Sequence, residues 1–188
     1  EENTPIVIES LCARCFNNGE TRMLLTDIPF FKAIIFVIFV SALHVPQLRG
    51  AVCGLLAEFG HDLVLKITSK EDLQRDVVRG EWATTYIPEL ELEIPATKRG
   101  CMSTVEGFLV GFKEDLMQDS QEESSEPDYA EQIDLFLEKL EKYVKCDDSI
   151  LPFSFRLYDP TGSSYIQNPK APLHDPNLTI HKFQRTME

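Results

Sequence analysis

Positive charge is scarce in this 188-residue chain: Lys and Arg number 18 against 31 Asp and Glu, a formal charge of −13. A surface this acidic repels phosphate backbones and anionic lipid, which excludes nucleic-acid binding driven by net charge and favours protein partners, basic ones above all. Cysteine is also sparse and odd in number: Cys12, Cys15, Cys53, Cys101 and Cys146. Apart from one Cys-x-x-Cys they are scattered, unlike the framework of a small secreted domain, and a reducing intracellular compartment is expected. The opening Glu-Glu-Asn-Thr-Pro has neither the basic start nor the apolar stretch of a signal peptide. The longest apolar run, AIIFVIFVSAL at 33–43, is too short for a membrane span of about 20 residues and reads as a buried strand. Glycine-rich phosphate loops are missing, and the four histidines, at 44, 61, 174 and 181, sit in no nucleophile or metal motif. Nothing in the sequence points to an enzyme.

What is present divides into two units. Residues 1–60 carry Cys12-Ala-Arg-Cys15, a turn at Asn17-Asn18-Gly19 and β-branched stretches, the pattern of a metal knuckle followed by a hairpin. Residues 61–188 read as a β domain interrupted by helices. Strands are expected at 63–68, 82–95, 153–159, 163–168 and 178–184; in the second, Leu90, Leu92 and Ile94 alternate with Glu89, Glu91 and Glu93. Asp159-Pro160-Thr161-Gly162 predicts a tight turn.

Between these strands the period changes from 2 to 3.6. Val105, Phe108, Leu109, Phe112 and Leu116 form one helical stripe, preceded by a capping box at Ser103–Glu106. A second stripe holds Ile133, Phe136, Leu137, Leu140 and Val144, and an acidic loop is expected at 119–128. The helical hairpin therefore spans about 103–146. Residues 111–150 contain thirteen Asp or Glu and four Lys, net −9, so this hairpin holds most of the chain's negative charge. It is either a solvated face or a docking site for a basic partner.

The metal motif is incomplete on its own. Cys12 and Cys15 can share one zinc, but a structural site needs four ligands, and no second pair follows. Cys53 stands alone, and His44 and His61 are not at ligand spacing.

The strings ESLCARCFNNGETRMLLTDIPFFKAII (9–35), EDLQRDVVRGEWATTYIPELELEIP (71–95), STVEGFL (103–109) and DPTGSSYIQNPKAPLHDPNLTIHKFQRT (159–186) resemble the ZPR-type zinc-finger proteins, which are built from two tandem zinc-finger-plus-β modules. The wording is similar to the first module. The resemblance implies a mainly β fold: a finger with two Cys-x-x-Cys pairs around one structural zinc, and a double-stranded β-helix with an inserted antiparallel helical hairpin. It implies Cys12 and Cys15 as the first pair of metal ligands. It further implies a protein-binding module without enzymatic activity, found in cytoplasm and nucleus, that binds translation elongation factor 1-alpha and assists its folding. The alternative it offers is a signalling adaptor binding receptor tyrosine kinase tails or nuclear complexes.

The departure lies at about 37–55, where the family carries its second Cys-x-x-Cys followed by Asn-x-Glu-Val-Gln-x-Ala-Gly. Val40 to His44 can be encoded GTG TCA GCA TTG CAT, which one base later reads Cys-Gln-His-Cys. Pro46 to Leu55, shifted alike, can give Arg-Asn-Ser-Glu-Val-Gln-Ser-Ala-Gly. An out-of-frame reading of this segment is therefore expected: either the sequence as written carries a frame error, or the product has lost half its zinc site.

Overall fold

The computed structural model describes residues 4–12, 15–29, 33–41, 44–53, 57–97, 100–122 and 127–185. Four strands come first: β1 (Ile6–Leu11), β2 (Asn18–Asp27), β3 (Ala33–Ser41) and β4 (His44–Cys53). They form an antiparallel sheet in sequential order. The apolar run expected as a buried strand forms β3 as far as Ser41, held between β2 and β4, but only Ile34 and Phe39 are buried while 35–38 and 40 are half-buried; residues 42 and 43 lie outside the described residues. β-branched residues on both faces suit a central strand. Pairing of β3 with β4 shifts register twice, near Val37/Ile38 and near Phe39/Ser41.

The rest of the strands are β5 (Gly60–Ile67), β6 (Asp76–Arg79), β7 (Thr84–Ile87), β8 (Leu92–Ile94), β9 (Cys101–Thr104), β10 (Phe153–Asp159), β11 (Tyr165–Ile166) and β12 (Leu178–Phe183). They make a five-stranded sheet, β12-β5-β10-β7-β8, and a three-stranded sheet, β11-β6-β9. Alternate residues of β5 and β10 point inward: Leu63, Leu65 and Ile67 meet Phe153, Phe155 and Leu157 in one core with Val77, Ile87 and Ile166. The mainly β class with a helical insertion is as expected.

A short α1 (Lys70–Leu73) precedes β6; the hairpin consists of α2 (Val105–Glu122) and α3 (Pro127–Lys145). Its base is docked on the five-stranded sheet. Phe108 lies 6.2 Å from Phe155, and Tyr143 packs edge-on to Phe153 at 4.8 Å. Of the described hairpin side chains, the buried ones all lie near this base: Val105, Phe108, Leu109, Phe112, Leu140 and Tyr143. Those at 113–118 and 132–139 are half-buried or exposed, so the outer half of the hairpin projects from the core.

Several local expectations need correction. The strand expected at 82–95 is broken by a 3-10 turn at Pro88–Leu90, because Pro88 cannot donate a ladder hydrogen bond and Glu91 turns left-handed (φ 53°). β11 is two residues rather than six. The helix cap sits one residue later than the box predicts. Thr104 Oγ1 accepts from the Gly107 amide at 3.1 Å, while Glu106 is taken by the Gln74 amide at 2.6 Å. The acidic loop shrinks, because Glu122 ends α2 and Asp128 lies inside α3. Glu123 and Glu126 lie outside the described residues.

The Asp159–Gly162 turn is present and tightly tied. Asp159 is buried, and its carboxylate accepts from the Thr161 and Ser163 amides and from the Thr161 and Ser164 hydroxyls. Ser164 Oγ in turn accepts from the Gly80 amide at 2.9 Å, pinning the turn to the end of β6. Gly162 is left-handed (φ 64°), and a Cβ there would fall 2.3 Å from the Phe59 carbonyl oxygen, so both backbone and space require glycine.

Candidate functional site

The finger is built around two turns. Cys12 closes β1 and Cys15 lies three residues on, in the turn leading to β2. The Cys12 amide donates to the Asn17 carbonyl at 2.9 Å, and the Phe16 amide to the Cys12 carbonyl at 2.8 Å. Phe16 itself is left-handed (φ 57°), which tightens the turn. Cys12 is buried, Cys15 half-buried, and neither is in a disulfide.

Strand register shows where a second pair of ligands would have to come from. Ser10 pairs with Gly19, Gly19 with Ser41, and Ser41 with His44. These four residues cross the sheet in one row, so the β1–β2 turn holding Cys12 and Cys15 lies at the same end of the sheet as Ser41, which closes β3, and His44, which opens β4. Two turns at one end of adjacent hairpins are a frame for a tetrahedral site; thiolates occupy only the first. Among the described residues no group of three or more His, Cys, Asp or Glu could hold a metal ion. The described residues thus supply two ligands and do not fit a closed zinc site. His44 and Cys53 are in β4, but their side chains lie outside the described set. His61 is at the start of β5, in the other sheet.

The second candidate is the hairpin. Antiparallel packing brings Lys113 of α2 onto Glu141 of α3, and Lys145 reaches the same carboxylate at 3.1 Å. The Lys113 hydrogen bond first, then that of Lys145, hold Glu141 below its ordinary carboxylate pKa. This pairs one acid near the base. Farther out, Glu114, Asp115, Asp134 and Glu138 are exposed. The same outer half exposes Leu135 and Met117. The stripes read from sequence face inward, with Phe108 and Leu140 at the base; Tyr143, the anchor on Phe153, falls outside the stripe as read from aliphatic spacing.

A buried charge cluster was not legible in sequence. Arg75 donates to Asp72 at 2.6 Å and to Asp175, with all three side chains nearly inaccessible. Burial alone would raise both carboxyls. For Asp72 the Thr68 amide and hydroxyl and Arg75 outweigh it, and for Asp175 Arg75 and the Asn177 amide do, so both lie below the ordinary range. Asp175 is 100 residues from Arg75 in sequence, and no local motif announces such a contact. The cluster ties α1 to the segment entering β12 and is structural.

Two family models match successive stretches of the chain. Residues 7–41 match the ZPR1 zinc-finger domain and residues 71–188 match the ZPR1 jelly-roll domain. The finger match ends at 41, inside the segment where the second Cys-x-x-Cys is missing. Zinc finger protein ZPR1 of Bos taurus is 39% identical over 194 residues, covering 100% of this chain and 41% of its own length. That of Mus musculus is 40% identical over 192 residues, covering 99% and 40%. The zinc finger chaperone zpr1 of Schizosaccharomyces pombe is 30% identical over 190 residues, covering 100% and 41%. The chain therefore spans about two fifths of the length of these curated relatives. With a jelly-roll match across most of its residues and a finger match before it, the chain belongs to the ZPR1 zinc-finger protein family.

Proposed function

We propose that this chain is a protein-binding module that docks a basic client against the projecting acidic hairpin, and that the client is translation elongation factor 1-alpha. The observation that carries the reading is the placement of charge: a segment of net −9, residues 111–150, anchored by aromatic contacts at its base, with exposed acids along its outer half. A rigid base with an acidic arm steers and orients a positively charged partner. The naming of the fission yeast relative as a chaperone supports a client-folding role; the identity of the client rests on the family resemblance. The activity is binding rather than catalysis, and it operates in cytoplasm and nucleus.

Zinc belongs to this proposal as a folding element. Cys12 and Cys15 would hold it from the β1–β2 turn if the family's second Cys-x-x-Cys stood at 40–43; the sequence as written lacks that pair. Metal bound in this way orders the finger and takes no part in a reaction.

Isothermal titration of the chain with elongation factor 1-alpha at increasing salt tests the reading. Affinity should fall steadily as salt rises, and the triple variant E114K/D115K/E138K should weaken binding at low salt while leaving the thermal transition in place. Affinity indifferent to both salt and charge reversal would remove the hairpin as the docking site.

A further inference from the structure

The jelly roll is open along one edge. β12 borders the five-stranded sheet and β11 the three-stranded one. With only two residues, β11 is too short to cover β12. Between them lies a cleft of about 750 Å³, floored by Leu63, Ile166 and Leu178 and walled by Pro172, Leu173 and Ile180. The floor residues are buried, whereas Leu173 is 72% and Ile180 49% exposed. Ile180 lies on the inward row of β12, since Phe183 on the other row stacks on outward Tyr158 at 4.8 Å. An inward-facing isoleucine left half open marks a core that stops before its edge strand does.

The backbone is open as well. β12 pairs with β5 through Leu178–Phe183, and among the described residues no strand pairs with its outer side. Charge then selects the occupant. Asp175, the cleft's one acid, is committed to Arg75, with Lys170 at 3.8 Å. Next along the inward row comes Lys182, opposite His61, exposed and without an ion pair among the described residues. The row therefore reads apolar, apolar, cation.

We propose that this cleft is a peptide-binding groove for an extended acidic-apolar segment of a partner protein. The segment adds as a strand to the outer edge of β12. Alternate apolar side chains sink beside Leu178 and Ile180, and an Asp or Glu two residues farther along meets Lys182. Main-chain pairing supplies affinity, and the apolar-x-apolar-x-acid pattern supplies selectivity. The groove uses none of the hairpin's residues and takes the opposite charge, so it stands apart from the elongation-factor reading.

The test is an NMR titration of the full 188-residue chain with acetyl-Thr-Val-Thr-Val-Thr-Asp-Thr-amide and its reversed sequence, which covers both strand directions. Amide shifts confined to β12 and the cleft wall are expected with one of the two. Replacing the peptide's Asp by Lys should weaken binding about three- to fivefold, and Lys182→Glu should invert that preference. Ile180→Asp should weaken it about tenfold or more. Both substitutions are on exposed side chains, and an unchanged spectrum elsewhere confirms the fold. The inference fails if millimolar peptide leaves 178–183 unmoved, or if binding ignores both variants. It fails too if β12 amides become protected with rising protein concentration alone, which would make a second copy the occupant, or if only an apolar dye fills the cleft.

Discussion

The finger sheet and the jelly roll are both antiparallel β structure, but they are stabilised differently. The jelly roll buries nineteen residues in one cluster that includes its helices. Among the described finger side chains, Ile34, which packs with Val78 of β6, and Phe39 are buried, while Ile6 (63%), Leu11 and Phe16 (77%) stay exposed. Extended strand pairing in both units thus goes with unequal burial. Backbone pairing alone adds little net stability in water, so a sheet with so few buried side chains among its described residues needs a further source of stability, which in a zinc-finger family is a metal.

The strongest way to break the contrast is to complete the finger. The double variant Val40→Cys/Leu43→Cys restores a Cys-x-x-Cys at the β3–β4 turn. It should bind one zinc per chain by native mass spectrometry and protect residues 6–53 from protease. Apparent folding energies of structural zinc reach about 10 kcal/mol or more, so the change should be all-or-none. The coding sequence of residues 37–55 is the companion check: codons that cannot be read in the shifted frame would refute the frame explanation.

A pair of truncations measures the contrast directly. Phe155→Ala, in the jelly-roll core, should cost about 3–5 kcal/mol in urea denaturation. Ile8→Ala, at an exposed edge position, should be close to neutral. Comparable losses would mean that the finger has a core of its own.

The buried cluster gives an effect of similar size with a pH signature. Asp175→Asn leaves Arg75 without one of its two carboxylates and should cost about 3–5 kcal/mol near neutral pH. Because the folded pKa values of Asp72 and Asp175 are lowered, their contribution is complete above the unfolded value of about 4 and is lost as pH falls through the folded values. The wild type should therefore lose stability below about pH 4, and the variant should lose less over the same range. The smallest change is expected for Lys113→Ala, whose ion pair with Glu141 is partly solvated; its denaturation midpoint should barely move.

What the sequence made legible follows the same divide. Long periodic stretches were readable, because β10 alternates strictly and α3 keeps one apolar side against the core. The Cys-x-x-Cys was readable as a motif because its two cysteines are local in sequence. Contacts between distant segments were not. Arg75 with Asp175, and the inward row that lets Ile180 and Lys182 flank a cleft, depend on which strands become neighbours. Within 82–95 the prolines pointed to a bend, but the alternation at 89–94 hid that residues 88–90 form a 3-10 turn before strand pairing resumes.

β5 sits between β10 and β12, so Leu65 pairs with Phe155 on one side and Leu178 on the other. Both partners follow the hairpin in the chain. As the polypeptide leaves the ribosome, this central strand emerges long before either neighbour exists, and it must wait, apolar and unpaired, through the synthesis of both helices. Closing such wide loops carries an entropic cost that is met only when the last strands arrive.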